Sequence, residues 1–197
     1  MGHRILQYRL EQGALEVAYM EELFSEFSGK KTAGEIIKRL QDREHLILIS
    51  LGPSLEDPAV ELPVAFKVGH ELRQNESNLQ LADLVFRLGD SVKFSGRKIF
   101  YSWIGGTRKE WRGGGHYRAL TEQQEEWAHL HGYDEMLVKT KNKFYSMRAT
   151  LDHLRFDVIR FEAHRTDKTE SKVYMSKPLS SDTLRQHLTT RSIVDAA

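Results

Sequence analysis

Cysteine is absent from the 197 residues. That gap removes disulfides, thiolate catalysis and sulfur-based metal sites. Also missing is any run of about 18 uninterrupted apolar residues, and the start, Met1-Gly2-His3-Arg4, lacks the apolar core of a signal peptide. The expectation is a soluble, cytoplasmic chain with no membrane partner. Charge of one sign is scarce as well: acids and bases interleave to a formal net charge of +1, leaving no broad basic field for nucleic acid. The histidines supply no metal set, because His129 and His131 stand two apart, on different faces of a helix, and no pair is three or four apart.

What is present suits one well-buried domain over residues 1–197, with 40% hydrophobic content. Residues 5–10 alternate as a first strand. Leu15, Tyr19, Leu23 and Phe27 recur every four residues, with Met20 and Phe24 beside them, and predict a helix. Thr32 and Glu35 form a capping-box pattern ahead of Ile36, Ile37 and Leu40, which predicts a second. Strands follow at 45–51 and 62–70, separated by a Gly52-to-Pro58 turn. Residues 73–97 read as an insertion, a polar loop and then a short helix through Leu79, Leu81, Leu84, Val85 and Leu88, serving as a surface excursion or as a lid over an acceptor pocket.

The most informative stretch is Arg112-Gly113-Gly114-Gly115-His116-Tyr117-Arg118, three glycines between two arginines at the start of a helix. A helix start leaves main-chain N–H groups unpaired and partly positive, and glycine permits positive φ and close approach, so this is a cradle for an anion such as phosphate. The strand ahead of it, residues 98–107, is rich in aromatic and β-branched residues and ends in Gly105-Gly106-Thr107. A Walker loop is excluded by the missing Gly-Lys-Ser/Thr, and a dinucleotide fingerprint by Arg118 where a small residue is needed. In the helix that follows, Leu120, Trp127 and Leu130 mark one packed side, and the polar run 121–126 is expected to face solvent. A turn and strand come at 132–140. Asn142 to Met147 opens a further helix with Phe144, Met147, Leu151 and Leu154 as its packing stripe, and a last strand covers 172–179. The tail at 180–197, with Leu184 and Leu188 four apart, is a candidate helix for packing, homodimer contact or neither.

The loop, the Tyr101-to-Gly106 strand and the Asn142, Phe144, Met147, Phe156 pattern together resemble the GNAT acyltransferase superfamily, in a branch known from bacteria. The order of strands and helices is similar on both sides of the loop. This resemblance implies an α/β fold with a central mixed, mostly antiparallel sheet of six to seven strands flanked by helices. It implies an N-acetyltransferase that uses acetyl-CoA on a primary amine, from a small-molecule or peptide acceptor. The cofactor residues it implies are Gly105, Gly106 and Thr107 along the pantetheine arm, and Arg112, Gly113, Gly114, Gly115, His116, Tyr117 and Arg118 at the pyrophosphate. Asn142 would sit near the thiol. The resemblance departs at three places: Tyr101 stands where some of these enzymes carry a basic glutamate, Leu151 where a tyrosine acid is frequent, and Tyr117 where a small residue is usual. Tyr101 and Tyr145 are the remaining candidates to move a proton. The alternative reading is a catalytically silent module that binds coenzyme A or a protein partner.

Overall fold

Seven strands form one open sheet: β1 (Arg4–Tyr8), β2 (His45–Pro53), β3 (Glu61–Leu72), β4 (Ile99–Thr107), β5 (Glu135–Lys141), β6 (Asp157–Glu162) and β7 (Lys172–Pro178), in the order β1-β2-β3-β4-β5-β7-β6. The pairs β1–β2, β2–β3, β5–β7 and β6–β7 are antiparallel, and β4–β5 is parallel. A parallel pair needs a crossover, and a helix supplies it. The helices are α1 (Ala33–Leu40), α2 (Leu79–Leu88), α3 (His116–Leu130) and α4 (Tyr145–His153). The computed structural model describes residues 3–8, 10, 20–21, 31–183 and 185. The helix expected around Leu15, Leu23 and Phe27 and most of the 180–197 tail therefore lie outside the described residues. Among the described residues no helix is long and apolar enough to cross a membrane.

Two compact units carry these elements, one made of Met1–His70 with Trp103–Gln124, the other of Glu71–Ser102 with Glu125–Ala197. In the first, Ile47 and Ile49 of β2 stand opposite Val68 and Phe66 of β3, and all four pack on Met20, Ile36 and Leu40. Each such side chain contributes about 1.5–3 kcal/mol by leaving water. The helix that brings Ile36 and Leu40 there starts at the expected capping box, with Thr32 Oγ1 accepting from Glu35 N at 3.2 Å and the Glu35 carboxylate accepting from Thr32 N at 2.8 Å.

The opposite face of β2 and β3 is not wholly apolar. Lys67 is only 1% exposed, donates to Thr121 Oγ1, and holds its ammonium 4.3 Å from the centre of the Tyr117 ring. Ser50 lies against His116. The early turns of α3 are thereby seated on polar anchors. This corrects the expectation that 121–126 faces solvent: Thr121, Glu122, Gln124 and Glu125 are all buried, while Leu130 is exposed. A buried lysine requires polar company, and the polar side of α3 supplies it.

In the second unit Phe100 meets Tyr133 edge-on, ring centres 5.1 Å apart, and Trp127 at 5.5 Å. The short helix expected in the insertion is α2, which Asn78 caps by accepting from Gln80 N and Leu81 N, and it buries Leu81, Leu84 and Leu88. Lys177 of β7 and Glu125 of α3 form an ion pair with side chains 6% and 0% exposed. Removing one partner strands a buried charge, at a cost of about 3–5 kcal/mol. Lys177→Met should therefore lose stability on that scale in urea unfolding, and adding Glu125→Leu should recover most of the loss. A single variant within about 0.5 kcal/mol of wild type, the range of ordinary surface changes, would mean the pair is not buried in solution.

Candidate functional site

The β4–β5 ladder runs only from Ile99 opposite Glu135 to Ser102 opposite Val138. The rest of β4, residues 103–107, belongs to the first unit and is the edge strand there, next to β3. An edge strand presents main-chain N–H and C=O groups to whatever extended chain lies alongside. Gly105 is needed for its approach to β3, since a Cβ there would stand 3.0 Å from Phe66 O. Thr107 closes the strand and its carbonyl accepts from Arg112 Nε at 3.1 Å, so the arginine ties strand end to loop.

After a single 3-10 turn at Lys109–Trp111, the chain passes through Gly113 at φ 84° and Gly115 at φ 81°. Side chains rarely adopt this left-handed backbone, so both positions favour glycine. Gly115 O accepts the first helical bond of α3, from Ala119 N at 3.0 Å. The N–H groups of Gly113, Gly115, His116 and Arg118 meet no acceptor among the described residues, and the three glycines are exposed. The result is a set of unpaired donors at the positive end of a 15-residue helix, able to hold an anion. Arg118 Nε donates to Glu122 at 2.9 Å, which leaves the main chain as the nearer donor. The Tyr117 ring sits on the buried Lys67 ammonium, so this side chain runs toward β3 and leaves the loop uncovered.

The remaining candidates lie in the second unit. Tyr101 is 6% exposed and stands opposite Leu137 in the β4–β5 ladder. Asn142 is committed locally: its Nδ2 donates to Lys168 O at 3.1 Å and its Oδ1 accepts from Arg148. Tyr145, at the first position of α4, is 63% exposed. Leu151 is fully buried. Of the basic cluster at 139–143, Lys141 and Lys143 both bind Glu170, holding its carboxyl down at about 2, and Lys139 is partly buried beside Tyr174.

Sequence reading missed His3 and Ser50. Ser50 Oγ and His116 Nδ1 are 2.9 Å apart, the His3 and His116 rings lie 4.3 Å apart, and a Cβ on Gly115 would stand 3.2 Å from His3 Nε2. No spacing rule links position 3 to position 116. Lys67 did leave a trace, as a single charge inside the apolar run 64–68.

No protein-family model and no curated protein matches the sequence. Solved structures do. NAA60 of Arabidopsis thaliana, crystallised with acetyl-CoA, gives a TM-score of 0.68 at 10% identity, covering 89% of this chain and 99% of that one. The ribosomal-protein-S18-alanine N-acetyltransferase of Escherichia coli gives 0.60 at 11%, over 91% and 95%. A GNAT superfamily phosphinothricin acetyltransferase of Sinorhizobium meliloti, in complex with acetyl-CoA, gives 0.63 at 12%, over 91% and 90%. The chain thus has the GNAT fold. Plant and bacterial proteins share it, so the fold does not restrict the chain to a bacterial branch.

The histidine pair makes stability depend on pH. Burial holds both imidazoles below the ordinary 6.5, and for His116 the neighbouring His3 adds to this. The unfolded chain then binds protons first as pH falls, so the stability these groups contribute is complete above pH 6.5 and declines below it. Thermal midpoints between about pH 8 and pH 5 should stay level to about 6.5 and then drop, with a smaller drop in His116→Asn. A midpoint that climbs on acidification would contradict the assignment.

Proposed function

We propose that the chain is an acetyl-CoA-dependent N-acetyltransferase that passes the acetyl group directly to a primary amine. The observation that carries this reading is the set of main-chain N–H groups of Gly113, Gly115, His116 and Arg118 that meet no acceptor among the described residues, set directly after an edge strand. Those donors fit a diphosphate. The edge backbone of Gly105, Gly106 and Thr107 fits the amide-bearing pantetheine arm in a strand-like pairing. Bound acetyl-CoA supplies the thioester to be attacked. A main-chain N–H of the same strand is suited to take up negative charge on the thioester oxygen, the kind of donor whose loss typically costs about 3 kcal/mol. Three structural relatives crystallised with acetyl-CoA or coenzyme A support the cofactor by analogy of fold. The Tyr117 orientation removes one of the two motives for a silent module, the other being the missing glutamate.

The acceptor follows from proton economy. Neither usual proton carrier is present, since Tyr101 and Leu151 occupy their places. Without a strong base the acceptor has to arrive neutral. At pH 7 about one in ten peptide α-amines is neutral, against about one in two thousand lysine side chains. We therefore favour a peptide N-terminus as acceptor, with Tyr101 or Tyr145 passing the proton through water. One relative, the NatC complex, was crystallised with a Gag peptide and coenzyme A, which is consistent with this choice.

Gly113 gives a clean test of the grip, because a Cβ there would meet nothing within 4 Å and both Asn and Asp tolerate its left-handed backbone. The pair Gly113→Asn and Gly113→Asp differs by one carboxylate facing the diphosphate. At about 4 Å, like charges repel by about 1 kcal/mol in water and more when shielded from it, so Asp should weaken acetyl-CoA binding at least about fivefold relative to Asn. Equal affinities in calorimetry would remove the loop from the mechanism. A thiol-release assay should give faster turnover with a free-N-terminus peptide than with an N-acetylated peptide carrying one lysine. The reverse order would overturn the acceptor.

A further inference from the structure

His3 and His116 converge on the glycine loop from two elements, the chain ahead of β1 and the first position of α3. His116 is nine-tenths buried, and its Nδ1 is engaged by Ser50 Oγ at 2.9 Å. Its other nitrogen, Nε2, has no hydrogen-bond partner among the described residues. It lies on the loop side, 3.5 Å from where a Cβ on Gly114 would stand. His3 Nε2 likewise has no hydrogen-bond partner among the described residues and stands beside Gly115. Two ring nitrogens therefore flank the same two glycines whose neighbouring amides are unpaired, and the absence of a Cβ at Gly115 is what lets the His3 ring approach.

The other charged groups nearby are engaged elsewhere. Arg112 holds Thr107 O, Arg118 holds Glu122, Arg4 holds Glu61, and Lys67 sits beneath the Tyr117 ring. No carboxylate bonds either imidazole among the described residues. A charged imidazole pair here is unfavourable while the loop is empty, through burial and mutual repulsion. An anion on the loop would reverse that balance by giving each ring N–H an acceptor and a counter-charge.

We propose that the imidazoles of His3 and His116 are phosphate ligands of this loop, each donating a ring N–H to the bound diphosphate and carrying positive charge when it is in place. The inference rests on the reading of the loop as a diphosphate site. Its signature is proton uptake on binding, so affinity rises as pH falls.

The full chain should be titrated by calorimetry with 3′-dephospho-coenzyme A, a probe that lacks the phosphate monoester which itself titrates near pH 6. Titrations at about pH 6, 7 and 8, in two buffers of different ionisation heat, report affinity and protons together. Binding is expected to tighten from pH 8 to pH 6 by on the order of three- to tenfold per linked proton, with net proton uptake near pH 7. His3→Asn, at a half-exposed position, should remove one linked proton while leaving the thermal midpoint at pH 8 unchanged. His116→Asn should remove the other, its carboxamide still able to reach Ser50. Dephospho-coenzyme A binding that is independent of pH, proton-neutral and unaltered in His3→Asn would overturn the inference while leaving the loop reading intact. Failure of both coenzyme A and its dephospho form to bind at any pH would remove the loop reading, and this inference with it.

Discussion

A lysine inside a sheet is costly unless something polar meets it, and two lysines, Lys67 and Lys177, are almost wholly buried here. Both are met by α3. Thr121 and the Tyr117 ring take Lys67 in the first unit, and Glu125 takes Lys177 in the second. Ser50 adds a third anchor through His116. Apolar contacts alone are non-directional and leave a helix some freedom to roll or slide. Charge-assisted hydrogen bonds fix its azimuth and its register along the sheet. Within the first unit, Lys67 and Ser50 thereby fix the first turn of α3 over β2 and β3, and with it the direction in which the unpaired amides point.

That arrangement also explains what was legible in the sequence and what was not. The capping box at Thr32 and Glu35, the strand runs and the α2 stripe rest on local rules, and local rules can be read from spacing. The GNAT order of elements was legible for the same reason, because it is a succession of such patterns. The polar face of α3 was misread as solvent-facing because periodicity equates polar with exposed, and that equation fails when the opposing strand carries its own charge. Lys67 inside its apolar run was the available warning. The contact of His3 with Gly115 had no trace at all, since only the folded sheet brings β1 and the loop to the same place. At the candidate site, the glycines declared a backbone requirement, and their positive φ values at 113 and 115 fulfil it. The local commitment of Asn142 to Lys168 O and Arg148 could not be read from sequence, because Lys168 lies in a 3-10 turn 26 residues on and the Arg148 side chain has to reach back from within α4.

The low identity to the solved relatives, 10–12% over about nine-tenths of the chain, is what this construction predicts. In the proposed site the grip on an anion would be made by main-chain N–H groups, and a main-chain donor imposes almost nothing on the side chain beside it. The constraint falls on φ, which two glycines satisfy, and on a helix starting where they end. Side chains around the loop are then free to change, provided each points away from the anion. Tyr117 shows the limit of that freedom: a bulky residue is tolerated at the second helical position because β3 offers it a buried ammonium to rest on. A sequence comparison weights Tyr117 as a departure, whereas the geometry treats Tyr117 and Lys67 as one exchange made on both sides of a contact. Replacing either alone would leave an unsupported ring or an under-solvated cation, so changes at these two positions should come in pairs, and the fold can persist while the letters that spell it are replaced.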